Sequence, residues 1–176
     1  MIITIAGTAG SGKSTVGEML ARKLGYTLYC IGDIRREKAK SLGMTLEQYN
    51  RLGENDPSTD RDVDSYQAEL ARKNDNFIMI GRTSFHFIPQ SFKIYLEVDP
   101  KIGARRILKC KRPEERAFSV DEMMQSIERR KISDILRYKK FYNIDVYDKR
   151  HFDLVIDTSN LSPEKILRKI LDSIKK

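Results

Sequence analysis

Gly7-Thr8-Ala9-Gly10-Ser11-Gly12-Lys13-Ser14-Thr15 is a complete G-x-x-x-x-G-K-S phosphate-binding loop, and its setting decides the fold. Upstream, residues 1–6 are a short apolar, β-branched run that reads as a buried strand. Downstream, Val16, Met19, Leu20 and Leu24 fall on one face of a helix. Strand, glycine loop, helix is the context the motif requires. The glycines let the backbone curl so that its N–H groups converge on anionic oxygens at a helix N-terminus. Lys13 would follow the β- and γ-phosphates of a nucleotide, and the Ser14 hydroxyl is placed to ligate Mg²⁺.

Outward from the loop, apolar strand-like runs alternate with helical patterns. Strands are expected at 26–31, 77–80, 92–98 and 152–156. Helices are expected over 33–42, from a Thr45 cap with Gln48 completing a capping box, and to about Lys73. The last of these places Val63, Tyr66, Gln67 and Leu70 on one side. Asp99-Pro100 opens another helix, Ser119 caps a long one to about Tyr142, and Ser162-Pro163-Glu164 starts the last. Residues 111–118 are charged, contain Pro113 and read as a loop. This alternation implies one α/β domain of 176 residues, a parallel sheet covered on both faces. Its ligand would sit at the carboxyl ends of the strands, beside Gly32-Asp33, Gly81-Arg82 and Asp157-Thr158-Ser159.

Net charge is +8, so arginines converge on polyphosphate or a surface binds nucleic acid. The basic residues of the last helix, Lys165, Arg168, Lys169, Lys175 and Lys176, read as a solvated face. No apolar run is long enough for a transmembrane helix, and the start reads as a core strand and not a signal peptide, so the expected location is cytoplasmic. Cys30 and Cys110 are too isolated for a disulfide framework or a zinc site and are expected as reduced thiols. His86 and His151 are expected to be packing or surface groups. Arg130, Asp134 and Arg137 share one helix face, as a buried ion-pair cluster or as a ligand-facing set.

A short chain, two helical insertions and arginines near strand ends favour a small-molecule kinase. The chain resembles the nucleoside monophosphate kinases, most closely the short archaeal-type cytidylate kinases. The resemblance rests on the opening Ile-Thr-Ile-Ala-Gly run, Gly32-Asp33-Ile34-Arg35-Arg36-Glu37 and Asp60-x-x-x-Asp64-x-x-Gln67. Gly81-Arg82, Arg130-x-x-x-Asp134-x-x-Arg137 with the following Tyr138-Lys139, and the run from Asp153 to Ser159 complete it.

The resemblance implies a three-layer P-loop kinase fold whose five-stranded parallel sheet has the order 2-3-1-4-5. It implies a core of 1–31, 77–104 and 143–176, an acceptor-binding region at 32–76 and a lid at 105–142. The implied reaction is ATP- and Mg²⁺-dependent phosphorylation of CMP and dCMP by a monomer, with no obligate nucleic acid and no membrane. Arg36 would hold the acceptor phosphate, near Gly32 and Asp33, and Arg82 would contact that phosphate or the sugar. Asp60, Asp64 and Gln67 would line the acceptor pocket, one of them reading the cytosine amino group. Arg130 and Arg137 would bridge the donor and acceptor phosphates, oriented by Asp134. Arg106 or Arg105 would stack on adenine, beside Thr158 and Ser159.

Two features depart from the longer bacterial relatives. Thr83 stands where they carry an acidic residue, and the third strand ends without an Asp, leaving Mg²⁺ to Ser14, phosphates and waters, with Asp33 as a helper. The aromatic segment 84–89 would wall the acceptor site or belong to the core. The rival readings are a kinase of the same fold acting on AMP, UMP, shikimate or a nucleoside, and an RNA- or ribosome-linked ATPase.

Overall fold

The computed structural model describes residues 1–54, 56, 58–110 and 119–175. Strand β1 (Ile2–Gly7) is buried along its whole length, as a strand is in the middle of a sheet covered on both faces. It pairs in parallel with β3 (Phe77–Ile80) on one side and β4 (Phe92–Glu97) on the other. Strands β2 (Thr27–Cys30) and β5 (Leu154–Asp157) complete the expected order 2-3-1-4-5.

Alternate residues of these strands face opposite layers. On one face, Ile3, Ile5, Ile78 and Leu96 pack against helices α1 (Lys13–Leu24) and α8 (Pro163–Ile174) through Val16, Leu20, Ile166 and Ile170. On the other, Ile2, Phe77 and Met79 pack against Ile31, Val63 and Ile88. Each such side chain contributes about 1.5–3 kcal/mol by leaving water.

Between β2 and β3 the chain inserts α2 (Ile31–Ser41), α3 (Leu46–Gly53) and α4 (Ser58–Lys73). A short α5 (Ser84–Phe87) links β3 to β4, and α6 (Pro100–Lys109) and α7 (Val120–Tyr142) precede β5. The Thr45–Gln48 capping box forms in both directions, at 2.8 and 3.1 Å. Asp99 caps α6 through the N–H groups of Lys101 and Ile102, both at 3.0 Å.

Three expectations change. Helix α2 begins at Ile31, two residues earlier than expected, so Gly32 joins Asp33 in its first turn. On α4, Tyr66 is 39% exposed while Asp60, Asp64 and Gln67 are buried, because polar partners await them inside. Strand β5 starts two residues later than expected, since Phe152 packs its ring on Phe85 and Tyr95. A 3₁₀ turn at Lys149–His151 precedes it. In segment 84–89, Phe85 and Ile88 are core residues. The expected lid loop at 111–118 lies outside the described residues. Among the described residues, no helix is long and apolar enough to cross a membrane.

Candidate active site

A cavity of about 420 Å³ opens at the carboxyl ends of the strands and runs from the glycine loop to the α2–α3 insertion. All of Ala9 to Thr15 line it. The loop is fixed by two close backbone approaches. Gly7, at φ 143°, lies so near β4 that a Cβ would meet the Leu96 carbonyl oxygen at 1.9 Å. Gly10 lies on Gly103 of α6, where a Cβ would come within 2.4 Å of the Gly103 carbonyl oxygen. Lys13 folds over the loop, its Nζ donating to the carbonyls of Gly7 at 3.0 Å and Thr8 at 2.5 Å.

Beside the loop, Arg106 lines the cavity whereas Arg105 is exposed. Arg106 Nη2 donates to the Thr158 carbonyl at 2.8 Å and that of Ser159 at 3.3 Å. The Thr158 hydroxyl, fully buried, donates to the Ser11 or Glu97 carbonyl at 3.1 and 2.9 Å. These bonds tie α6 and the end of β5 to the glycine loop. Cys30 and Cys110 also line the cavity, and burial pushes the Cys30 thiol up, which keeps it protonated.

At the far end, Gly32, Arg36, Arg82, Thr83 and Arg130 line the cavity. Arg36 pairs with Asp33 one helical turn back. Arg35, which sequence reading passed over, lines the cavity too, although its side chain is only 9% exposed. One signal could have found it. Ile31, Arg35 and Ala39 are spaced by four residues and all three are buried.

Behind this wall lies a chain of alternating charges. Arg35 pairs with Asp60, and Asp60 Oδ2 faces Arg137 Nε at 3.0 Å. Arg137 Nη2 reaches Asp134 Oδ1 at 3.0 Å, and Asp134 Oδ2 holds Arg82 Nε at 2.8 Å. Arg137 is 1% exposed and also donates to the Tyr138 hydroxyl at 2.8 Å. Burial by itself would loosen the proton of Arg82, but Asp134 and Tyr147 hold its pKa above the ordinary range.

Thus Lys13, Arg36, Arg82, Arg106 and Arg130 share one cavity with Gly32. Asp60, Asp64, Gln67, Asp134 and Arg137 instead form the buried support, with Asp33 at the rim. Asp64 accepts from Gln67 Nε2 at 3.1 Å, Thr83 Oγ1 at 3.2 Å and the Tyr142 hydroxyl.

Burial pushes the Asp64 carboxyl up to about 6; the Tyr142 hydrogen bond opposes the rise and the neighbouring Asp60 charge adds to it. Such a carboxyl favours the folded state below its unfolded value, 3.8, and that advantage is lost as pH rises through about 6. From pH 4 to pH 7 the wild-type protein should therefore lose about 2 kcal/mol relative to Asp64→Asn. Urea unfolding of both proteins across that range checks it, and parallel pH profiles would refute it.

The model of the cytidylate kinase-like family matches residues 2–160. The chain is 40% identical to the cytidylate kinase of Methanocella arvoryzae, over 100% of this chain and 99% of that protein. It is 35% identical to that of Methanobrevibacter smithii, over 99% of both chains. Among solved structures, shikimate kinase from Bacteroides thetaiotaomicron shares the fold at a TM-score of 0.68 and 17% identity, covering 100% of this chain and 99% of that one. A deoxyadenosine kinase from M. mycoides does so at 0.57 and 20%, covering 99% of both.

Proposed function

This chain belongs to the cytidylate kinase-like family and is a nucleoside monophosphate kinase; we propose that it transfers the γ-phosphoryl group of ATP to CMP, and to dCMP as well. One observation carries the reading. The glycine loop and a wall bearing Arg36, Arg82 and Arg130 bound a single continuous cavity, so two phosphorylated ligands can meet in it.

Transfer between two anions is limited by charge repulsion, and the phosphate acceptor is already ionised, so it needs no general base. An oxygen of the acceptor phosphate attacks the γ-phosphorus in line while the β–γ bridging oxygen leaves with ADP. Lys13 and Arg130 neutralise the equatorial oxygens. Arg36 and Arg82 hold the acceptor phosphate, and Asp134, itself tied to Arg137, orients Arg82. Arg106 covers adenine beside Thr158 and Ser159.

The donor set suits magnesium. Among the described residues no group of three His, Cys, Asp or Glu side chains could hold a metal. Ser14 lines the cavity next to Lys13, so its hydroxyl, with Asp33 as an outer helper, would serve an ion that characteristically keeps its waters and binds phosphates. Bound there, Mg²⁺ would supply charge neutralisation on the β- and γ-oxygens.

Helix α6 sets the shape of the donor site. A Cβ on Gly103 would stand 2.7 Å from the Ala9 carbonyl oxygen and 3.0 Å from Val98 Cγ1. Overpacking of this kind costs about 1–3 kcal/mol, so Gly103→Ala should raise the KM for ATP about tenfold and spare that for the acceptor. Equal rises in both would separate α6 from the loop.

The assignment is tested by ADP release with ATP-Mg²⁺ and CMP, dCMP, UMP, AMP or GMP supplied singly. Turnover confined to CMP and dCMP supports it. Faster turnover with another monophosphate keeps the reaction and discards the base.

A further inference from the structure

We propose that Arg35 reads the acceptor base, donating to the adjacent O2 and N3 lone pairs of cytosine. This rests on the reading of the acceptor as a cytosine nucleotide.

Arg35 is held from several sides. Its Nη1 meets Asp60 of α4, its Nη2 donates to Asn50 Oδ1 of α3 at 3.1 Å, and its guanidinium lies 5.1 Å from the centre of the Tyr49 ring. The Tyr49 hydroxyl is itself fixed, donating to the Thr59 carbonyl at 3.1 Å. A guanidinium so anchored loses little freedom when a ligand arrives. It has only N–H groups to offer, and it lines the cavity together with Leu46, Asn50 and Tyr138.

The acceptor phosphate has to lie toward the glycine loop, where the γ-phosphoryl group is handed over. The other end of the acceptor then points toward α3, whose Leu46 and Asn50 line the cavity beside Arg35 of α2. Cytosine carries two neighbouring acceptors there, O2 and N3, and a rigid fork of donors matches them as it matches the paired acceptors of guanine in DNA. Uracil carries N3–H instead. Against Arg35 it would oppose donor to donor, so neither N–H would gain the partner that cytosine supplies. Asp60 stands behind Arg35 and is buried, so it is a positioning residue that fixes the fork.

The test compares kcat/KM for CMP, UMP and the monophosphate of 3-deazacytidine, which lacks the N3 lone pair, in wild type, Arg35→Lys and Arg35→Met. Wild type should prefer CMP to UMP by about a hundredfold and lose about tenfold or more on 3-deaza-CMP. In Arg35→Met the 3-deaza penalty should vanish and the CMP-to-UMP ratio fall toward one, with the KM for ATP unchanged. Arg35→Lys, a cation without the fork, should fall between. A purely structural role for Arg35 would leave the 3-deaza penalty in place and overturns the inference. If neither variant folds, the arginine side-chain ¹⁵N spectrum of wild type decides. New protected Nη–H signals with CMP but not with 3-deaza-CMP support the inference, and their absence overturns it. Wild type preferring UMP sinks this inference together with the CMP reading. Wild type preferring CMP while Arg35→Met keeps its ratio sinks the inference alone.

Discussion

Lys13→Ala is expected to lower kcat about a thousandfold while the protein remains folded. In the structure its ammonium donates to two loop carbonyls and lies 3.5 Å from Ser11 Oγ. Bonds from a charged donor are worth about 1.5–3 kcal/mol each, but the substitution removes the charge with them, and water can satisfy the two carbonyls at a partly buried site. During transfer the same cation would sit against oxygens that gain charge, where one preorganised donor is worth about 10²–10³ in rate. Lys13→Arg should not rescue, because a planar fork cannot take the place of a compact ammonium. Steady-state rates and a melting curve check both halves. A rate within tenfold of wild type, with the fold intact, would remove Lys13 from the chemistry.

Arg137→Met should act in the opposite way, chiefly on stability. Its side chain is 1% exposed and lies between Asp60 and Asp134. Its Cζ is 4.6 Å from the centre of the Tyr138 ring. Removing the cation takes one of two arginine partners from each of two buried carboxylates, leaving Asp60 to Arg35 and Asp134 to Arg82, which costs about 3–5 kcal/mol. For a chain of this size that is a fall in Tm of about 10 °C. Arg130→Ala, at a residue that lines the cavity, should instead lower kcat and move Tm little. A stable but inactive Arg137→Met protein would return Arg137 to the phosphates and make the ion chain dispensable.

The two arginines illustrate what could be read from sequence and what could not. Helical spacing placed 130, 134 and 137 on one face, but spacing does not say what covers that face. What covers Arg137 is Asp60, contributed by α4 from another insertion, and no local pattern encodes that pairing. The same holds for Asp64 and Gln67, whose polar character suggested either a pocket or solvent. They are buried because Thr83, Ser84 and Tyr142 supply hydrogen-bond partners from distant segments. By contrast the glycine loop, the strand positions and the Thr45, Asp99 and Ser162 caps depend on neighbouring residues, so sequence reading located them.

The central place of β1 has a consequence for synthesis. The strand that ends in the phosphate loop is made well before its partners β3 and β4, which lie far downstream: Ile3 pairs with Ile78 and with Phe92. Pairing over such separations is slow, because chain entropy is lost before contacts are gained. On the ribosome, Ile3 and Ile5 therefore wait unpaired until β3 has left the exit tunnel and paired on one side only until β4 follows, and the nascent chain carries a bare apolar strand edge through that interval. The window for capture by chaperones, or for aggregation, closes only when the middle of the sheet can be zipped from both sides.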